Sequence, residues 1–176
     1  MYTDAKGSAP GTYARWLGAD GKPAGQAVQI GPAKSAQGTP SLFVLPGRAI
    51  YAAWSDDGDR DSEDLFLQKL SQTTLSPDGA FVRMTDLTGA GATRARVVTP
   101  RGALAKESLH LVFELERKPA SFIEHQTVAI GDVGRELSAT GANREGKVAG
   151  TLALVNHDNG RAHAPQIACS QDHCFV

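Results

Sequence analysis

The chain has 176 residues, with 18 Lys+Arg against 19 Asp+Glu, so its formal net charge is -1 at pH 7. Balanced charge removes the electrostatic basis for nucleic acid or an anionic membrane as the main partner. No segment approaches the roughly 18–20 consecutive apolar residues of a membrane-spanning helix, and Met1–Thr12 lacks an apolar signal-peptide core. With 19 glycines and 21% charged residues, we expect a turn-rich globular protein that binds no nucleic acid and does not span a membrane.

The first half of the chain reads as short strands joined by turns. Apolar strands are predicted at Tyr13–Leu17, Pro40–Val44 and Ala49–Trp54. Asp20-Gly21 predicts a two-residue hairpin turn after the first of these strands. Leu65–Leu70 alternates in the manner of a strand, and the turn-forming residues Ser76–Gly79 follow it.

The second half repeats the same order of strands and turns. Ala95–Val98, a turn at Pro100–Gly102 and the strand Ser108–Phe113 predict a hairpin, and Phe122–Val128 predicts the next strand. Residues 138–150 read as an exposed connection. Three further strands are then predicted at Thr151–Val155, Pro165–Ala168 and Cys174–Val176. A turn at Ser170–Asp172 joins the last two of these strands.

Repetition is the strongest signal in the sequence. Trp54 and Phe113 occupy matching places 59 positions apart, so each unit has about 60 residues and roughly four short strands, as β-propeller blades do. We therefore expect an all-β fold of four-stranded antiparallel blades in one partial domain, 1–176, with units near 12–75, 76–140 and 141–176. Closed propellers use roughly 4–8 blades. The predicted propeller is therefore incomplete, and either the remaining blades of a longer chain or a homo-oligomeric partner would close it.

Three segments carry a resemblance to a known family. In the first, Trp54–Asp56 is followed by an acidic loop and by Asp64–Ser71, which fits the pattern D-[IL]-[YF]-x-x-[RK]-[LV]. The other two segments are Tyr13–Gly21 and the Pro-led hairpin within Ala164–Val176. Together they resemble the blades of bacterial sialidase-like β-propellers. The resemblance implies the propeller fold and an extracytoplasmic or secreted protein.

The residues of sialidase catalysis do not follow the family pattern. No arginine lies in an R-[IL]-P context, and Ser55, Asp57 and Gly58 have the wrong spacing for the family's S-x-D-x-G-x-x-[WF] box. The sequence therefore favours a non-catalytic binding or scaffolding segment with a glycan or protein ligand. Two alternatives stay open, part of a sialidase-like glycoside hydrolase and a self-assembling half-propeller.

The densest group of potential metal ligands lies in the acidic loop. Asp57, Asp59 and Asp61 are alternate oxygen donors, which suit Ca²⁺. The match to a calcium loop is partial, because Ser62 stands where Gly is expected and Gln68 where a Glu is expected. The alternative is a solvated loop without an ion, and no other cofactor is indicated.

Cys169 and Cys174 bracket the last predicted turn, so a hairpin there would place them opposite each other. That spacing favours a cross-strand disulfide, since paired Cα atoms approach within disulfide range. Two free thiols and a metal site using His163 or His173 are the alternatives. A disulfide would place the protein in an oxidising compartment.

Most aromatic residues sit at repeat-equivalent strand positions, which is typical of core packing. Trp16 is the candidate exception, a platform on which a sugar ring could stack. Loops 56–64, 99–107 and 138–147 are expected to build the rest of a binding surface, because recognition concentrates on loops carried by a rigid sheet.

Overall fold

The structure is a computed structural model, and it describes residues 1–4, 11–31, 40–45, 49–56, 63–79, 81–85, 96–105, 108–117, 120–129, 144–147, 151–154, 164–170 and 173–176. Within these ranges the protein is all-β and contains no helix, which confirms the all-β part of the predicted fold class, whereas the propeller arrangement stays a prediction. The strands are β1 (Tyr2–Asp4), β2 (Gly11–Leu17), β3 (Pro23–Gln29), β4 (Ser41–Leu45), β5 (Ala49–Asp56), β6 (Asp64–Leu70), β7 (Val82–Arg83), β8 (Arg96–Ala105), β9 (Ser108–Arg117), β10 (Ala120–Ala129), β11 (Arg144–Lys147), β12 (Thr151–Leu154), β13 (Ala168–Cys169) and β14 (Cys174–Phe175).

The described strands form four sheets. Sheet 1 has the order β1-β2-β3, sheet 2 the order β11-β7-β6-β5-β4, sheet 3 the order β12-β10-β9-β8, and sheet 4 the order β13-β14. All strand pairs are antiparallel except β11 with β7, which is parallel. The predicted exposed connection 138–150 is therefore wrong for Arg144–Lys147, which form the edge strand of sheet 2; its other residues lie outside the described ranges.

The turn between β2 and β3 is longer than the sequence suggested. Gly18 N–H donates to the Lys22 carbonyl at 2.8 Å, and Gly21 N–H donates to the Gly18 carbonyl at 2.9 Å. Three residues, 19–21, therefore form the loop, instead of the predicted two. Gly21 takes the left-handed φ of +75° that the last residue of such a loop requires.

The hairpin of sheet 3 also turns at a different place. Pro100–Gly102 lies inside β8, and the strands reverse between Ala105 and Ser108, which are paired. The register shifts between Val98 and Arg101. Because β8 is an edge strand, a bulge there accommodates Pro100, which has no N–H to donate.

A third turn precedes its predicted position. Leu70 forms a bridge with Pro77, and Asp78 N–H donates to the Lys69 carbonyl at 2.9 Å. The chain has thus already reversed when it reaches the predicted turn at Ser76–Gly79. The residues Ser71–Ser76, called the 71–76 turn below, make the reversal.

Sheets 2 and 3 pack face to face through the larger core. Its members are apolar side chains from β4, β5, β6, β7 and β9, together with one residue just after β7: Phe43, Ala49, Tyr51, Ala53, Leu65, Leu67, Val82, Met84, Leu109, Leu111, Phe113 and Leu115. Gly102 belongs to this contact, because a Cβ at that position would lie 2.9 Å from the Phe43 ring. The close approach of β8 to β4 therefore requires a glycine at position 102.

The opposite face of sheet 2 packs on sheet 1. This second core contains Ala14, Ile30, Ile50, Ala52, Trp54, Leu70 and Leu75. Successive side chains of β5 alternate between the two cores, and all eight of its residues are buried. Sheet 2 is consequently the middle layer of three, stacked in chain order, since a strand covered on both faces must lie between two others.

The last described segment lies against sheet 3. Ala164 N–H donates to Glu114 Oε2 at 3.3 Å, and β13 contacts β8. Glu114 is nearly fully buried on β9. In the described ranges there is no helix with the length and hydrophobicity needed to cross a membrane.

Candidate functional site

Trp16 lies at the end of β2, where the strand leaves the core. Residues 11, 12 and 14 of this strand are buried, whereas Arg15, Trp16 and Leu17 are exposed. The Trp16 side chain is 44% exposed, and its indole Nε1–H donates to the Thr73 carbonyl at 3.3 Å. Trp16 is therefore exposed, and its indole is anchored to the 71–76 turn.

The 71–76 turn is held by its own polar groups. Ser71 Oγ accepts from the backbone N–H groups of Thr73 and Thr74, each at 3.3 Å, and Ser71 N–H donates to the Ser76 carbonyl at 2.9 Å. Leu75 has a φ of +61° and its side chain is buried in the second core. A left-handed leucine costs roughly 1–2 kcal/mol, so burial of its side chain is what fixes this turn.

A polar pocket opens beside the same turn. Its volume is about 430 Å³, and its lining residues are Ala49, Lys69, Leu70, Ser71, Gln72, Ser76, Pro77 and Asp78. The pocket is open to solvent, and its lining surface is mainly polar. The sequence analysis did not identify this pocket.

An ion pair between Lys69 Nζ and Asp78 Oδ2 lies in the pocket wall, with the two side chains 35% and 52% exposed. Pairs this exposed contribute about 0–1 kcal/mol to stability. Tyr51 is paired with Lys69 across β5 and β6 and is buried beneath it. Burial raises the pKa of the Tyr51 phenol, the Lys69 charge lowers it and the Asp78 charge raises it, so the hydroxyl is protonated at neutral pH.

Gln68 joins β6, which carries Lys69, to the segment that carries Asp78. Its side chain is 1% exposed, and its Nε2 donates to the Lys69 carbonyl at 2.8 Å and to the Gly79 carbonyl at 3.1 Å. One buried amide thus connects the backbone next to each charged residue. The positions of Lys69 and Asp78 are consequently set by the fold.

A second cluster of polar side chains lies at the other end of the β5–β6 hairpin. Asp56 and Asp64 are opposite each other and each is 2% exposed. Asp64 Oδ1 accepts from Thr85 Oγ1 at 2.8 Å, and Asp64 Oδ2 lies 3.7 Å from Arg83 Nη1. Thr85 Oγ1 also accepts from Leu65 N–H at 2.9 Å. These contacts join β6 to the end of β7 and give Asp64 a structural role.

The predicted calcium ligands Asp57, Asp59 and Asp61 lie outside the described residues. Among the residues that are described, no three His, Cys, Asp or Glu side chains form a group that could hold a metal ion. The calcium site therefore stays a prediction.

Cys169 and Cys174 form a disulfide, as the hairpin spacing predicted. The two residues are paired in β13 and β14, with their Cα atoms 4.1 Å apart. Ser170 N–H donates to the His173 carbonyl at 2.8 Å and closes the loop. Phe175, which follows the disulfide, is 69% exposed.

Comparison with known proteins gives no relative for this chain. No protein-family model matches the sequence. No curated protein and no solved structure matches it.

The two charged residues of the pocket lie in elements that the sequence predicted. Lys69 lies on a strand that was predicted, and Asp78 was read as a turn residue. What the sequence did not show is that the turn falls earlier, at residues 71–76. That shift brings Asp78 beside Lys69 and creates the pocket.

Proposed function

We propose that this chain is a non-catalytic binding segment and that its ligand is a glycan, bound with the apolar face of one sugar ring on Trp16. The observation that carries the proposal is the anchored, half-exposed indole of Trp16. A fixed aromatic side chain offers apolar contact area at low entropic cost. The 71–76 turn lies against Trp16 in space, through the hydrogen bond to the Thr73 carbonyl, and its serine and threonine side chains would meet the sugar hydroxyls.

We further infer that the stacked sheets are propeller-type blades that carry this site. β4, β5, β6 and β7 are consecutive in the chain and adjacent in sheet 2, as the strands of a blade are. Sheets 1, 2 and 3 also stack in chain order. The sialidase-like and self-assembling alternatives stay predictions, because no contact among the described residues bears on them.

An extracytoplasmic location fits the same proposal. The Cys169–Cys174 disulfide is a bond that persists in oxidising compartments and is rare in the cytosol. Extracellular glycans would be the ligands available there. Alkylation of free thiols in protein taken from its native cell, followed by mass measurement, tests this: alkylated cysteines would contradict the location.

The first test of the function is a screen for ligands. The labelled 176-residue chain is applied to an array of neutral and acidic glycans, and each hit is measured by calorimetry with the wild-type chain and with Trp16→Ala. Loss of the stacking platform is expected to weaken binding about tenfold, which corresponds to about 1.4 kcal/mol. Leu17→Ala is the matched control, because Leu17 is the neighbouring exposed residue.

Tryptophan fluorescence gives an independent readout. The chain has two tryptophans, and Trp54 is fully buried, so an aqueous quencher reports mainly on Trp16. A bound glycan should protect Trp16 from iodide quenching. Absence of any array ligand, or equal binding by the wild-type chain and Trp16→Ala, would overturn the proposal.

A further inference from the structure

The pocket and Trp16 both border the 71–76 turn, but Trp16 is not among the residues that line the pocket. Ala49 belongs to the core between sheets 2 and 3, and Lys69 shares its face of sheet 2 because it is opposite Tyr51 of the same core. Trp16 belongs to sheet 1, which covers the other face of sheet 2. The pocket is therefore a separate site, connected to Trp16 through one turn.

We propose that the pocket is a second glycan subsite, which holds one uncharged sugar residue by a pair of adjacent hydroxyls between Lys69 and Asp78. The inference rests on the proposed function for the identity of the larger ligand. The residues that line the pocket, including its ion pair, do not include Trp16.

The chemistry of the ion pair selects this ligand class. An ammonium group only donates hydrogen bonds and a carboxylate only accepts them. A hydroxyl does both, so of two adjacent hydroxyls one accepts from Lys69 Nζ while the other donates to Asp78. The pair has no net charge, and an anionic ligand drawn to Lys69 would meet the repulsion of Asp78.

The pair is accessible and its position is fixed. Both side chains reach solvent, so the ligand replaces a weak surface contact. Buried Gln68 holds the carbonyl of Lys69 and that of Gly79, next to Asp78. Ser71 and Ser76, which are joined by a backbone hydrogen bond, form the fixed rim. Little ordering is therefore required when a sugar binds.

The test is a titration of the ¹⁵N-labelled chain with the methyl glycosides of glucose, galactose and mannose. Saturable shifts of the Gln72 and Asp78 amide signals are expected with at least one of them. Lys69→Met and Asp78→Asn are each expected to weaken that binding at least tenfold. A matched ion pair on the surface, Lys22 with Asp20, supplies the controls Lys22→Met and Asp20→Asn, which should bind as the wild-type chain does.

Each outcome decides the proposal. Absence of shifts at Gln72 and Asp78 with all three glycosides would overturn it. Binding of the methyl glycoside of glucuronic acid alone, strengthened by Asp78→Asn, would also overturn it and identify an anion site instead. Thermal melts confirm that each variant is folded.

The two proposals fail in different ways. If only the pocket proposal is wrong, an array ligand still protects Trp16 from quenching, while the amide signals of Gln72 and Asp78 do not shift with any glycoside. Failure of the proposed function leaves the pocket shifts intact in Trp16→Ala and finds no array ligand that depends on Trp16.

Discussion

Trp54 and Phe113 occupy equivalent places in consecutive sheets. Each lies on the second strand of its sheet, each is fully buried, and each faces the sheet that precedes it in the chain. Trp54 packs in the core with sheet 1 and Phe113 in the core with sheet 2. Their spacing in the sequence therefore reflects one packing role used twice.

This equivalence predicts that Trp54→Ala and Phe113→Ala destabilise the protein by similar amounts, each by weakening a different interface between sheets. Each should lower the free energy of unfolding by about 3–5 kcal/mol, the usual range for truncation of a buried aromatic residue. In hydrogen exchange, Trp54→Ala should deprotect β2 and β3, whereas Phe113→Ala should deprotect β8 and β9. Leu17→Ala, at a 64% exposed position, is the control and should change stability by less than about 0.5 kcal/mol. Identical exchange patterns for the two variants would contradict separate cores.

Gly102 is predicted to be intolerant of a side chain. A Cβ there would meet two atoms of the Phe43 ring at 2.9 Å and Leu111 Cδ2 at 3.1 Å. Gly102→Ala should therefore destabilise the protein by about 1–3 kcal/mol, as overpacking does, measured by urea unfolding. Phe43→Leu tests whether the ring is the cause, because this substitution removes the ring that would clash. In the Phe43→Leu background, the additional loss of stability caused by Gly102→Ala should be smaller. An unchanged cost would show that the ring is not the obstacle.

The disulfide is predicted to stabilise its own hairpin more than the rest of the fold. It joins residues five positions apart, and the loop-entropy relation gives at most about 2 kcal/mol for so short a loop. Reduction, or Cys169→Ser with Cys174→Ser, should raise hydrogen exchange at residues 168–176 and leave β5 and β6 protected. Global unfolding on reduction would show that the hairpin is essential for the core.

His110 is predicted to make stability depend on pH. Burial lowers the pKa of His110 below its ordinary value, so the folded state favours the neutral ring. The unfolded chain then binds more protons in the window below the ordinary histidine pKa of about 6.5, and stability is lost as the pH falls through that window. Melting temperatures between about pH 7.5 and 5.5 check the sign.

The matched variants for this measurement are His110→Gln and His173→Gln. His110→Gln should reduce the fall in melting temperature between the two pH values. His173 is exposed in the terminal hairpin, so His173→Gln should leave the fall as it is in the wild-type chain. An equal fall in the wild-type chain and in His110→Gln would contradict a contribution from His110.

Local sequence patterns are sufficient to predict where most of the strands lie. Alternating apolar residues at Leu65–Leu70 and Ser108–Phe113 predicted β6 and most of β9, because a strand's side-chain period of two is a local property. The hairpin spacing of Cys169 and Cys174 also predicted the disulfide. Trp16 was the aromatic residue expected to be exposed, and it is exposed; its role in stacking a sugar stays a prediction.

Long-range strand pairing and the positions of the chain reversals depend on tertiary packing and could not be predicted from local patterns. Arg144–Lys147 joins β7 of sheet 2, a partner that no local pattern specifies. The reversal after β6 falls at residues 71–76 because Leu75 is buried in the second core, and that burial outweighs the cost of its left-handed backbone. The pocket of Lys69 and Asp78 follows from this turn, so it could not be seen before the packing that produces it.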